Sequence, residues 1–199
     1  MKYLKMLGLL AVAAAALMAF VGTASATTAT SPKGTVYTNT YKAVAEEQLS
    51  LHGEAFVVTC NQSEVEGKVE QHGSGVTTTG KISRLVFSEC NFPVTVLKTG
   101  TLEAHATAIK GTDADGTLTS TGFEATIHGP FGINCIYTTN NTDIGTGTLT
   151  STATTGGNAT LDIDSAMIPR TGHSAFCGSN AEWTGSYKVV TPSTLYIDA

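Results

Sequence analysis

Threonine is the residue type that most constrains what this chain can fold into. Residues 27–199 contain 33 threonines and 19 glycines, and leucine, glutamate and lysine do not recur there at helical spacing. Threonine is β-branched, so it packs well on the pleated face of a strand, and its hydroxyl group tolerates contact with water. Frequent glycine supplies the turns between strands. The composition therefore predicts an all-β fold.

Strand-like segments follow one another in short steps from Thr35 to the C-terminus. Turn sequences such as Asp115-Gly116, Gly129-Pro130 and Asn140-Asn141 separate them, and Gly100 and Gly122 are also expected to lie between strands. About eleven short strands, spaced by roughly 8–12 residues, are typical of an antiparallel β-sandwich with jelly-roll or Greek-key connections. A closed β-barrel is the alternative architecture. Residues 41–48 are the one later stretch in which a short helix is considered instead.

Residues 1–26 have the order of parts found in a secretory signal peptide. Lys2 and Lys5 are positively charged, an apolar run extends over 6–21, and small residues surround Ala26. This order is typical of a cleavable signal, and the apolar run is shorter than the about 20 residues of a membrane span. An uncleaved anchor is the alternative. We expect a signal helix that is cleaved after Ala26 and a secreted, extracellular protein.

The rest of the chain is expected to be free of a membrane anchor. Residues 27–34 suggest a flexible leader, and residues 35–199 a single β-rich domain without a second apolar span or a cysteine before Cys60. The formal charge of the chain is −5, and it becomes −7 without Lys2 and Lys5. An acidic chain argues against nucleic acid or an anionic membrane as a partner.

Four cysteines, Cys60, Cys90, Cys135 and Cys177, occur in this exported chain. An even number outside the cytoplasm favours disulfides, for which three pairings are possible. We prefer the neighbours in sequence, Cys60 with Cys90 and Cys135 with Cys177. Each bond would close a loop of about 30–45 residues, worth roughly 3.5–4 kcal/mol in the chain-entropy model. A zinc site is the weaker alternative, because no C-x-x-C or H-x3-H spacing occurs.

Trp183 and Tyr187 form the candidate ligand platform. They are four residues apart, so on a strand both lie on the same face as Gly185. Two aromatic rings over a glycine could bind a carbohydrate. The alternative is that the pair fills the core near a disulfide, such as that of Cys177.

Two pairs of acidic residues also have both a functional and a structural interpretation. Asp113 and Asp115 resemble the start of a calcium loop, but no glutamate follows in the required place, so turn chemistry is preferred. Asp162 and Asp164 share one face of a predicted strand. They would suit glycosidase chemistry only beside a sugar cleft, and a polar strand face is the simpler interpretation.

The remaining candidates lack a supporting pattern. Ser74 and Ser174 do not lie in a G-x-S-x-G turn between a strand and a helix. The histidines have no metal-ligand spacing; they are His52, His72, His105, His128 and His173. We therefore predict no catalytic residues, no metal site and no cofactor.

Several segments resemble an uncharacterised group of paralogous, small secreted proteins of actinobacteria. They are MKYLKMLGL at 1–9, TVLKTGTL at 95–102, WTGSY at 183–187 and Thr191-Pro192. The cysteine contexts Thr59-Cys60, Ser88-Glu89-Cys90, Asn134-Cys135 and Phe176-Cys177 are also similar to that group. The resemblance implies an exported β-rich domain. In size, signal and Gly-Thr-Leu-Thr runs, the chain is more faintly similar to the exported activators of alkane oxidation.

These features predict a non-enzymatic extracellular protein that acts at a surface, in a matrix or by binding a small ligand. Threonine-rich strands of low charge could also pair edge to edge in fibres. A carrier that binds lipids or other hydrophobic molecules and assists the uptake of apolar compounds is the first alternative, and it requires an apolar cavity within the sheet. A secreted hydrolase is the second.

Overall fold

A computed structural model describes residues 27–71, 78–106, 113–139, 144–172 and 175–198 of the chain. These residues are mostly antiparallel strands, which confirms the all-β prediction. A short helix, α1 (Thr152–Thr155), and two 3-10 turns, Pro130–Gly132 and Ala175–Cys177, complete them. The strands are β1 (Thr28–Thr30), β2 (Thr40–Ala45), β3 (Leu49–Gly53), β4 (Val57–Gln71), β5 (Thr78–Cys90), β6 (Val94–Ala106), β7 (Asp113–Ala114), β8 (Gly116–His128), β9 (Asn134–Thr138), β10 (Ile144–Thr150), β11 (Thr160–Gly172), β12 (Asn180–Thr191) and β13 (Tyr196–Asp198).

Ten of these strands form one sheet, and its pairings run in a closed circuit. Starting at β12, the circuit passes through β2, β4, β5, β6, β8, β10 and β11 and returns to β12. At one end of the molecule β3 replaces β2, and β9 replaces β10. The fold is therefore sandwich-like, with facing walls of one sheet joined at both sides by hydrogen bonds. This arrangement pairs strand edges that would otherwise be exposed.

Several strands are longer than the sequence suggested. The sequence predicts a break between strands at Gly100 and at Gly122, yet β6 continues through Gly100 and β8 through Gly122. The two glycines have φ of 70° and 73°, and a side chain on Gly100 would collide with the backbone of β8. A single glycine in this conformation bends a strand locally without reversing it. Two of the predicted turns are therefore irregularities within paired strands.

A three-stranded sheet, in the order β1-β13-β7, covers one end of the large sheet. Thr28–Thr30 pairs with Tyr196–Asp198, and Ala29 between them is only 2 % exposed. The prediction of a flexible leader over 27–34 is therefore wrong for these residues, because pairing with the distant C-terminal strand orders them. The alternative of a short helix over 41–48 is not observed, since β2 extends to Ala45 and residues 46–48 connect it to β3.

The predicted signal peptide, residues 1–26, lies outside the described residues. In the part of the chain that the structure describes, no helix has the length and apolar character needed to cross a membrane.

Both predicted disulfides are confirmed. Cys60 and Cys90 lie opposite each other on β4 and β5, with their Cα atoms 4.0 Å apart. Cys135 on β9 is bonded to Cys177, which directly precedes the connection into β12, with a Cα separation of 5.6 Å. Both bonds lie at the end of the large sheet opposite the three-stranded sheet. We call this end the disulfide end and the other the capped end.

Candidate functional site

The interior of the large sheet is built around Trp183. Side chains alternate along β12, so Trp183 and Tyr187 both point inward. The indole ring contacts Phe87 of β5 and Phe123 of β8, each with its ring centre 5.8 Å away. Trp183 therefore joins three walls of the sheet near the middle of the core.

Three cavities lie in a row along this interior. The upper cavity, toward the disulfide end, has a volume of about 50 Å³, the middle one about 50 Å³ and the lower one, toward the capped end, about 60 Å³. Trp183, Phe123 and Ile168 line both the upper and the middle cavity. Leu102, Leu118 and Leu161 line both the middle and the lower cavity. Thin partitions of side chains thus separate neighbouring cavities.

The cavity walls are almost entirely apolar. Two of the side chains that line the upper cavity carry a hydroxyl group, Ser50 and Tyr137. The Tyr137 hydroxyl donates a 2.8 Å hydrogen bond to the Cys177 carbonyl. Thr99, Ser120 and Thr139 border the middle cavity. Each volume is well below the about 150 Å³ of a protein cavity that holds benzene. A guest of more than a few atoms must therefore displace one of the partitions.

Tyr41 of β2 gives the lower cavity a distinct polar group. Its ring lies in a slot over Gly67 and Gly80, because side chains at those glycines would touch it. The Tyr41 hydroxyl is buried and has no hydrogen-bond partner, and burial raises its pKa well above the usual range. It therefore stays protonated and is available as a hydrogen-bond donor beside an apolar cavity.

The wall between β5 and β6 is incompletely paired next to two of these cavities. Only residues 78–81 of β5 are paired with β6, and their partners are residues 101–104. Nearer the disulfide end, the Thr99 hydroxyl donates a 2.8 Å hydrogen bond to the Ile82 carbonyl. Phe87 borders the upper cavity on this side, and Leu85 borders the middle one. Side chains, more than backbone hydrogen bonds, close this part of the wall.

The structure places the predicted aromatic platform inside the molecule. Tyr187 is 2 % exposed, and its hydroxyl donates a 3.1 Å hydrogen bond to Ser63 Oγ. Leu49 occupies the space beside Gly185, where a side chain would collide with it. An exposed sugar platform is therefore not formed, and the alternative of a core pair is the one observed. Both rings nevertheless line the middle cavity.

The acidic candidates have structural partners. Asp115 accepts hydrogen bonds from the Ser151 backbone and the Thr154 hydroxyl, and so holds the turn around α1. Asp162 accepts hydrogen bonds from the hydroxyls of Thr160 and Ser186. Asp113 lies in β7. The side chains of Asp113 and Asp164 lie outside the described part of the structure.

The histidines that are described lie on separate strands. His52 is near Ser50, and the two ring nitrogens of His128 lie 3.0 Å from Thr95 Oγ1 and 2.7 Å from Asn134 Oδ1. His105 is in β6. Over the described residues, no three His, Cys, Asp or Glu side chains gather as a metal site would require. The other candidates, His72, His173, Ser74 and Ser174, lie outside the described residues.

Sequence reasoning missed Tyr41 and the leucine partitions. Tyr41 lay in the stretch considered for a helix, and its slot is formed by glycines from β4 and β5. The pairing of distant strands creates that slot, so no local pattern could have indicated it.

No family model, curated protein or solved structure matches the chain.

Proposed function

We propose that this protein is a secreted, non-enzymatic binding protein that takes a small apolar molecule into the interior of its sheet. The observation that carries the proposal is the row of apolar cavities around Trp183, separated only by side chains. A ligand site of this kind depends on apolar burial with a few placed polar groups. The hydroxyls of Tyr41, Ser120 and Thr139 are such groups.

Export is the second part of the proposal. The charged start, apolar run and small residues of 1–26 have the pattern of a cleavable signal. The two disulfides support an oxidising compartment, because cytoplasmic thiols are usually kept reduced. The sequence resemblance to secreted actinobacterial proteins points in the same direction.

The interior offers van der Waals contact and hydrogen bonding to a guest. Moving one methylene group from water into such a site contributes about 0.8 kcal/mol, or roughly fourfold in affinity. We therefore expect affinity to rise with the length of an apolar chain until the partitions can move no further. A guest that spans two cavities must displace Trp183 or the leucine partition.

The closed circuit of strand pairing favours a binding protein over a fibre-forming matrix protein. Fibre growth by strand addition needs an exposed, unpaired edge. In the described residues, the walls are joined through β11 with β12 and through β8 with β10, and the unpaired edge is confined to the parts of β5 and β6 nearer the disulfide end. A matrix role would have to use this short edge or another surface.

Titration with n-pentane, n-hexane and 1-hexanol tests the proposal. Trp183 is the single tryptophan of the chain, so its fluorescence reports directly on the partition between the upper and middle cavities. We expect a saturable spectral change, a higher melting temperature and tighter binding of hexane than of pentane. If no probe causes a saturable change or raises the melting temperature, the proposal is wrong.

Two matched variants locate the guest. Ala125→Val fills the upper cavity and Ala104→Val fills the lower one, and both alanines are buried. We expect at least one of them to weaken hexane binding about tenfold while circular dichroism and melting show a folded protein. Unchanged binding in both folded variants would mean that the probe does not enter these two cavities.

A further inference from the structure

In the described part of the chain, each connection at the disulfide end carries one phenylalanine. Phe56 lies between β3 and β4, Phe92 between β5 and β6, Phe131 between β8 and β9, and Phe176 between β11 and β12. Phe131 is fully exposed and Phe176 is 70 % exposed. At the capped end, the described connections 31–39, 151–159 and 192–195 contain no phenylalanine or tryptophan. The exposed aromatic rings are thus concentrated at one end of the fold.

The backbone holds Phe131 away from the core. Its φ is 58°, in the left-handed region that residues other than glycine seldom adopt, and it lies within the 3-10 turn Pro130–Gly132. Phe56 packs so closely against Gly129 that a side chain there would collide with its ring. The turn therefore rests on the apolar rim while its own aromatic ring extends into solvent.

The other connections are attached to the same framework. Phe56 and Phe92 contact each other edge to face, with ring centres 5.6 Å apart. Phe176 directly precedes Cys177, which is bonded to Cys135 of β9. Cys135 lies four residues after Phe131, so this disulfide joins the connection that carries Phe176 to the one that carries Phe131. The four phenylalanines thus lie on connections that ring contacts and a disulfide hold together at the disulfide end. We call these four connections the aromatic end.

The aromatic end has little charge. Its described connections, 54–56, 91–93, 129–133 and 175–179, contain a single charged residue, Glu54. The Glu54 carboxylate accepts hydrogen bonds from the backbone N–H and the hydroxyl of Ser179, both at 3.2 Å. No lysine or arginine in these segments could attract anionic lipid headgroups, which bind through clustered basic residues.

We propose that the aromatic end docks on a lipid surface of zwitterionic or uncharged headgroups, with Phe131 and Phe176 entering the boundary between headgroups and acyl chains. Phenylalanine is one of the side chains that surface-bound proteins bury at that boundary, and binding there grows with the apolar area that is buried. Single protruding rings suit a fluid surface that closes around them. A folded protein partner would instead need a continuous complementary patch.

This docking proposal rests on the proposed function, because its role would be to deliver an apolar molecule to the cavities. The upper cavity lies beneath the same end, lined by Val58, Ile127 and the Cys60 disulfide. An apolar guest is poorly soluble in water and is concentrated in lipid. A protein seated on lipid by its aromatic end would receive such a guest through the shortest path to the cavities.

Co-sedimentation with phosphatidylcholine vesicles tests the proposal on the purified protein. We expect the wild type to bind, Phe131→Ser and Phe176→Ser each to bind about tenfold more weakly, and the double variant to remain in solution. Val36→Ser is the matched control, because Val36 is 56 % exposed but belongs to the capped end. The melting temperature of each variant confirms that it is folded.

Phe131→Trp adds a direct reporter of insertion. We expect its emission to shift to the blue on phosphatidylcholine vesicles and to be quenched by brominated acyl chains, while Trp183, which is packed against the core, gives neither effect in the wild type. Absence of vesicle binding, equal binding by the double variant, or binding only to phosphatidylglycerol vesicles would overturn the proposal. So would gel filtration showing that Phe131→Ser turns a dimer into a monomer, because the second copy would then be the partner.

The two proposals can fail separately. Hexane binding is measured without vesicles, and vesicle binding is measured without hexane. If Ala125→Val loses hexane binding but sediments normally, the cavity function and the docking surface are distinct properties of the same chain. If vesicle binding fails while hexane still binds, only the docking proposal is withdrawn.

Discussion

The Tyr187 hydroxyl donates a hydrogen bond to Ser63 Oγ across the core, at 3.1 Å and between residues 124 positions apart. The Tyr41 hydroxyl is buried without a partner in the same core. A buried donor that lacks a partner costs about 1–3 kcal/mol, whereas a satisfied one contributes about 1 kcal/mol. The two tyrosines therefore have opposite expected effects on stability when their hydroxyls are removed.

We predict that Tyr41→Phe stabilises the protein by about 1 kcal/mol and that Tyr187→Phe destabilises it by about as much. For a chain of this size, calorimetry would show these changes as melting shifts of about 2–4 °C in opposite directions. An equal loss of stability in both variants would show that the Tyr41 hydroxyl is satisfied, for example by a water molecule.

Removal of the disulfides should affect stability unequally. Cys60 and Cys90 join strands that are already hydrogen-bonded along their length, and Cys90 is only half-buried. Cys135 and Cys177 are fully buried, and their bond fixes the turn before β12. We expect replacement of the second pair by alanine to cost about 3–5 kcal/mol and replacement of the first pair to cost less. Urea unfolding measures both, and a larger loss for the first pair would contradict the argument.

Mass mapping without reduction should find both disulfides and no free thiol. Detection of a different pairing would remove the basis of this comparison.

Strand β1 should be needed for stability, although it precedes the main sheet. Ala29 is buried against the capped end and lines the lower cavity. We predict that Ala29→Asp destabilises the protein by about 3 kcal/mol or more, because it buries an unpaired carboxylate. Val36→Asp is the control, since Val36 is exposed in the same N-terminal segment. Similar unfolding curves for both variants would mean that β1 contributes little.

An ion pair on the outer face should give a small pH-dependent contribution. Lys42 Nζ lies 2.6 Å from Glu64 Oε2, and the hydrogen bond from Lys42 lowers the pKa of the Glu64 carboxyl. A carboxyl whose pKa is lower in the folded state stabilises the fold above its unfolded pKa and loses that effect as the pH falls through the folded value.

Glu64→Gln should therefore lower the melting temperature slightly at pH 7 and have no effect at pH 2. High salt should reduce the difference at pH 7, because both side chains are partly exposed. A difference that stays constant over this pH range would show that the variant acts through packing instead of charge.

Local sequence patterns predicted strands well where alternation was clear. Val65 and Val69 alternate with charged residues, and both are buried on the inner face of β4 as that alternation requires. Strand boundaries were less predictable at glycine. Gly100 and Gly122 look like turn residues in the sequence, but cross-strand pairing between β6 and β8 keeps them within strands.

The candidate site was only partly predictable. The spacing of Trp183 and Tyr187 placed both on one strand face. It did not determine whether that face was the inner or the outer one, because Leu49 of β3 and Phe123 of β8 decide this from distant parts of the chain. The cavities themselves arise where side chains from several strands fail to fill the interior, and their existence depends on the assembled packing.

The sequence by itself determined the all-β fold, since β-branched residues, scattered glycines and the absence of helical spacing are local properties. It also indicated the disulfide pairing, because neighbouring cysteines close the shortest loops. Tertiary structure decided that the sheet closes, that Thr28–Thr30 forms a strand and that the Tyr41 ring lies in a slot between strands. It also decided that four phenylalanines gather at one end. These features join residues far apart in the chain, and only their simultaneous packing brings them into contact.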